Sequence, residues 1–158
     1  MDAVVGFFGN PGLVGLAAFM ALSAAGSAIG VGVAGMSAIG AWKKCYIENR
    51  PAPFLLFAFV GAPMTQTIYG LILMNQYTAA LGKIDSSIIL GAGLFGGLAM
   101  GISAWFQGMA GVAASDAYAE TGKGFANYIL VVGLVETVAL FVLVFLLLLL
   151  NNVTAFYH

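Results

Sequence analysis

The sequence predicts an all-α membrane protein: four transmembrane helices, paired as two helical hairpins that repeat one another in the same orientation. Three observations lead there. Of 158 residues, 62% are hydrophobic and only 7% are charged, against roughly 25% charged in an average soluble domain, and mean hydropathy is +1.05. The few charges fall in groups that leave four long apolar stretches. The second half of the chain also matches the first at a nearly constant offset. Such a composition excludes a soluble globular fold, a disordered chain and, with a single cysteine, a disulfide scaffold. Five Lys and Arg in total and a net charge of −1 exclude a nucleic-acid binder.

The spans follow from the charges. Residues 11–41, 51–82 and 86–115 contain no Asp, Glu, Lys or Arg, and residues 124–158 contain only Glu136. A bilayer core of about 30 Å needs about 20 helical residues, so each stretch can cross. None shows the apolar/polar alternation of a membrane β-strand, and all are far longer than the ~10 residues such a strand needs. The residues thus form a single membrane domain, 1–158, with a first hairpin over 11–82 and a second over 86–151. Met1-Asp2 places no basic residue before the first apolar run, so no cleaved signal peptide is expected.

Orientation comes from the basic residues. Lys43, Lys44 and Arg50 fall in the first connection (42–50) and Lys123 in the third (116–124), while the second has only Lys83. The bias puts the first and third connections in the cytoplasm and both termini outside. Trp42, Tyr46, Tyr77, Tyr118, Phe125 and Tyr128 sit near span ends, where amphipathic rings favour the headgroup zone. Cys45 is expected in the first loop as an unpaired reduced thiol. The Asn152-Val153-Thr154 sequon, against the membrane end of the last span, is expected to be unused.

The repeat is read by alignment. Ser27–Gly35 matches Ser103–Gly111 at an offset of 76, and Pro63–Thr67 matches Gly133–Thr137 at 70. Both hairpins enter from the same side, so the repeats are parallel. Spans one and three hold seven glycines each, with small residues four apart at Gly26/Gly30, Gly93/Gly97 and Gly97/Gly101. That spacing lets helix backbones approach closely in lipid. The last span instead ends in Leu146–Leu150. Two layers are expected, with glycine-rich helices inside and bulkier helices outside. The glycine pattern alone fits either a closed ring of copies or a compact monomer or dimer.

Glu136 is the one ionisable side chain in a span interior, about 12 residues into the fourth. A charged acid at mid-bilayer costs about 2.5–3.5 kcal/mol on insertion scales, and no Lys or Arg lies in any span to pair with it. An ion-binding carboxylate is the reading this favours. Ala62, Thr65, Gln66 and Tyr69 fall at i, i+3, i+4 and i+7, one face of the second span. Pro63 is expected to kink that span and loosen a backbone carbonyl. Gln107 adds a further amide from the third span. Singly, these polar groups would serve as interhelical hydrogen-bond glue. With Glu136 they supply five oxygens: a carboxylate, two amides, a hydroxyl and a carbonyl. A hard monovalent cation wants several oxygens and its charge neutralised, so the inventory leans to Na⁺ over H⁺. No Cys/His cluster, phosphate loop or nucleophile–base pair is present, so no catalytic residue and no cofactor is expected.

The chain resembles the 16 kDa proteolipid family, the rotor-ring (K or c) subunits of V-type and A-type rotary ATPases. The resemblance covers roughly residues 11–151. It is carried by the glycine-rich first span, Ala62-Pro63-Met64-Thr65-Gln66, Tyr69, Phe106-Gln107-Gly108 and Leu134-Val135-Glu136-Thr137. Pro63-Met64-Thr65-Gln66 together with Gln107 resembles the sodium-binding branch. The resemblance implies a homo-oligomeric two-layer ring that turns against a membrane stator subunit supplying an Arg. It implies Na⁺ or H⁺ bound by Glu136, Thr65, Gln66, Gln107 and the Ala62 carbonyl, with Tyr69 holding Glu136 in its loaded rotamer. ATP would be hydrolysed on other subunits, joined through a central stalk that docks on Lys43, Lys44 and Arg50. A prokaryotic cell membrane is the expected location. A proton-coupled four-helix antiporter using the same acid is the competing reading, and a structural four-span protein a third. Because position 66 is Gln where its repeat partner 136 is Glu, four helices carry one exchangeable acid, which favours pumping over ATP synthesis.

Overall fold

The computed structural model describes residues 9–157, so Met1 and Asp2 lie outside the described residues. Helix α1 runs Pro11–Ile47, α2 Leu56–Gly61, α3 Thr65–Thr78, α4 Ser86–Thr121 and α5 Phe125–Tyr157. A 3₁₀ turn, Ala62–Met64, joins α2 to α3. Counting α2–α3 as one broken 23-residue span, four helices among the described residues are long and apolar enough to cross a membrane. The molecule is an integral, multi-pass, all-helical membrane protein, as the apolar stretches required.

The ends of the helices are chemically marked. Asn10 caps α1, its Oδ1 accepting from the Gly12 amide at 3.0 Å, and Pro11 occupies the first turn, where its missing N–H is not needed. α1 stops where Asn49 adopts φ 54, with the Arg50 amide bonding back to the Cys45 carbonyl at 2.9 Å. Asp85 caps α4 through the Ser87 amide at 2.7 Å, and Ser87 holds the Asp85 carboxyl below its ordinary range. α4 ends on Gly122 in the left-handed conformation (φ 63), which costs glycine nothing.

The spans are longer than the uncharged stretches. α1 continues six residues past position 41, and α4 continues to Thr121. Charges mark where the chain leaves the bilayer, not where the helix ends, because Lys and Glu are good helix formers in water. The first and third connections therefore shrink to residues 48–55 and 122–124. Cys45 is consequently not in a loop. It is a free thiol on α1, fully buried among Ala41, Leu56, Ala119 and Val132.

α1 and α4 pack against each other with almost no side chain between them. A Cβ at Gly26 would strike the Gly101 backbone, one at Gly93 the Gly15 backbone, and one at Gly108 the Gly30 backbone. The outer helices cover this pair unequally. Half of the most apolar window of α4 is buried, but only 11% of that of α5, so the leucine-rich α5 presents most of its surface outward.

Two apolar clusters brace the bundle. One gathers Phe19, Leu73, Tyr77, Ile89, Met100 and Ala139. The other gathers Ala38, Cys45, Leu56, Phe59, Ala114 and Val132. Tyr77 is a correction to the expected aromatic belt. It is fully buried, lies 4.9 Å from Phe19 between ring centroids, and donates its hydroxyl to the Leu146 carbonyl at 2.8 Å. Tyr118 and Phe125 also turn inward onto the second cluster. Tyr46, 68% exposed, keeps an outward position.

Candidate functional site

The polar groups lie between the two apolar clusters, so the sequence order along each helix sets their depth. On α5, Glu136 falls between Val132 of one cluster and Ala139 of the other. On the broken span, Gln66 falls between Phe59 and Leu73, and on α4 Gln107 falls between Met100 and Ala114. Each span thus delivers its polar residue to one mid-membrane layer.

Pro63 determines the local backbone. It lacks an N–H and cannot continue the α-helical ladder. The chain answers with the 3₁₀ turn Ala62–Met64, after which α3 begins at Thr65. The turn brings three oxygens together: the Thr65 hydroxyl lies 3.1 Å from the Ala62 carbonyl and 3.2 Å from Gln66 Oε1. A hydroxyl has one proton, so it can satisfy only one of these two acceptors at a time.

From there the groups form a chain to Glu136. Gln66 Nε2 donates to Gln107 Oε1 at 2.8 Å, and both amides are fully buried. Gln107 Nε2 faces the Val132 carbonyl and Glu136 Oε2, each at 3.2 Å. Tyr69 donates its hydroxyl to Glu136 Oε1 at 2.7 Å. Each carboxylate oxygen therefore has a donor, which lowers the cost of holding an acid in oil. Glu136 itself is half-buried, at the outer side of the layer.

The six residues singled out from the sequence, Ala62, Thr65, Gln66, Tyr69, Gln107 and Glu136, therefore meet in one place. Gln107 differs in detail from expectation: its nitrogen, not its oxygen, faces the acid. Sequence reasoning passed over Ser103, whose hydroxyl donates to the Val135 carbonyl at 2.9 Å and ties α5 to α4 beside the acid. Its position four residues before Gln107, on the same helix face, was the available signal. No cluster of three or more His, Cys, Asp or Glu exists among the described residues, so any cation here would meet one carboxylate and neutral oxygens.

The basic residues of the first connection are mostly engaged. Lys44 pairs with Glu120 across to α4. Arg50 pairs with Glu48 and donates to the Ala119 carbonyl at 2.9 Å. Trp42 closes the same connection by donating to the Pro53 carbonyl at 2.8 Å. Lys43 has no ion pair among the described residues and stands exposed beside Tyr46 and Ile47.

Residues 90–149 match the family model for the C-type subunit of ATP synthase. Over 143 residues the chain is 32% identical to a protein of Methanocaldococcus jannaschii named A-type ATP synthase subunit K. The match covers 90% of this chain and 62% of that protein, so the chain spans less than two thirds of that relative's length.

Proposed function

We propose that this chain, which belongs to the rotary ATPase proteolipid family, is a rotor-ring subunit that carries Na⁺ across the membrane on Glu136, with H⁺ as the alternative cargo. The observation that supports this reading is the oxygen cluster joined to a buried-layer acid. Ala62 O, Thr65 Oγ1 and Gln66 Oε1 crowd around one shared hydroxyl proton, an arrangement a small cation would relieve. Turning the Gln107 amide through half a rotation would add its oxygen. The carboxylate then neutralises the cation, and Tyr69 holds the acid inward. A proton would need the carboxylate alone and would leave the neighbouring oxygens without a role.

In this reading copies form a ring, each Glu136 exchanges its ion opposite a stator subunit that supplies an Arg, and crosses the lipid face with its charge neutralised. Neutralisation matters because a bare carboxylate bears the insertion cost of about 2.5–3.5 kcal/mol. ATP is hydrolysed on partner subunits, and this chain does no bond chemistry. A central stalk docks on the cytoplasmic first connection. Because Lys44 and Arg50 already pair within the chain, Lys43 with Tyr46 and Ile47 forms the free part of that surface, and a prokaryotic cell membrane is the proposed setting.

Carbodiimide labelling of Glu136 tests the cargo. We expect millimolar Na⁺ at neutral pH to protect the residue. Protection obtained only by raising pH would replace Na⁺ with H⁺. A second expectation concerns stoichiometry. With Gln66 at the position equivalent to Glu136, each copy moves one ion per turn. About 2.3 kcal/mol is needed per charge per 100 mV, so fewer ions per turn allow each to be driven up a steeper gradient, as suits a pump. Counting ions per ATP in the reconstituted complex checks this, and two ions per copy would refute it.

A further inference from the structure

The contact between the two repeats inside the chain has an unused counterpart on each side of the molecule. Gly30 of α1 packs directly on Ala104 of α4. The 76-residue offset between the glycine-rich helices carries Gly30 forward to Phe106 and carries Ala104 back to Ala28. The repeat therefore predicts that Phe106 should meet an Ala28, and within one chain the two cannot meet. Successive helical residues are rotated by about 100°. Phe106 thus sits about 200° round α4 from both Ala104 and Gly108, the residues that face α1, and is 55% exposed. Ala28 sits likewise about 200° from Gly26 and Gly30 and is also exposed. The two residues mark opposite sides of the α1–α4 pair.

Ala28 also borders a cavity. A space of about 340 Å³ opens between α1 and α3, walled by Ala24, Ala28, Val31, Met64 and Ile68. The in-chain contact sets glycine against alanine with no space left over. The outward version offers an aromatic side chain on one face and a hollow beside alanine on the other. We propose that Phe106 of one copy seats in the Ala28 cavity of the next, so that the interface between copies repeats the in-chain interface with a phenylalanine knob in place of glycine. The proposal deepens the ring reading above and rests on it. Its two faces are different surfaces, so the contact is head-to-tail, the kind that closes into a ring. In lipid, helices associate through close van der Waals fit, and an aromatic ring filling an open hollow supplies that fit.

A photoreactive benzoylphenylalanine placed at position 106 tests the contact in membranes containing the full chain. Illumination is expected to give covalent dimers in which the attached peptide lies within residues 24–31 or 64–68 of the second copy. The same probe at Phe141, exposed on α5, should attach to lipid. Ala28→Trp, which fills the hollow from an exposed position, should abolish the dimer band while helical content is unchanged. Dimers attached elsewhere, or no dimers from a preparation that native mass measurement shows to be a ring, overturn the interface and leave the ring reading standing. A preparation that is monomeric in the membrane overturns both.

Discussion

Replacing Glu136 by Gln will stop ion transport while leaving the subunit folded and assembled. The amide is nearly the same size, and its oxygen can still accept the Tyr69 hydroxyl that lies 2.7 Å from Glu136. What it lacks is charge. A Na⁺ ion held by neutral oxygens alone would take an uncompensated positive charge across the lipid face, and a proton would have no basic site at all. The α1–α4 packing does not involve residue 136, so assembly should persist. Uptake of ²²Na⁺ or acidification by proteoliposomes containing the whole ATPase should fall to background, with the oligomer intact by native mass measurement. Sustained pumping by Glu136→Gln would end the assignment of the acid as the carrier.

The second large effect is structural. Gly26→Val should prevent the protein from accumulating as a folded membrane species. A Cβ at position 26 meets the backbone of Gly101, not the movable tip of a side chain. Overpacking an ordinary core costs about 1–3 kcal/mol because side chains can shift. Here two long helices would have to separate along their length, breaking the neighbouring Gly15–Gly93 and Gly30–Gly108 contacts as well. The fitting comparison is Gly40→Ala on the same helix, where nothing lies within 4 Å of the added atom. That change should be neutral or slightly stabilising, since glycine in a helix interior is disfavoured by about 0.5–1 kcal/mol relative to alanine. Thermal unfolding in detergent and yield from membranes read both. Equal behaviour of the two variants would show that α1 and α4 do not meet as described.

Transmembrane architecture was legible because a bilayer imposes a strong, one-dimensional demand. A helix must offer about 20 apolar residues to cross, so four uncharged stretches announce four spans, and one acid in such surroundings cannot pass unnoticed. The face Ala62–Thr65–Gln66–Tyr69 was readable from helical spacing, and Pro63 foretold a break that the 3₁₀ turn at Ala62–Met64 realises. Helix ends were less legible. Charge reports the water boundary, whereas α1 runs on to Ile47 in water, which is how Cys45 comes to be buried in a helix. Tyr77 near a span end suits either the headgroup zone or the core, and only its neighbours decide; Phe19 and the Leu146 carbonyl claim it for the core.

What the sequence determined by itself is therefore the number of spans, the doubling of the hairpin and the identity of the acid with its polar neighbours, because hydropathy, repetition and helical period are all properties of order along the chain. Tertiary structure alone decided which atoms face which. Gln66 and Gln107, 41 residues apart, share a hydrogen bond, and Gln107 turns its nitrogen to Glu136. Ser103 finds the Val135 carbonyl, while its repeat counterpart Ser27 is buried with no partner among the described residues. Equivalent letters in a repeat take different partners once the hairpins pack, because hydrogen-bond direction depends on angles and separations of a few tenths of an ångström that only the packed helices set.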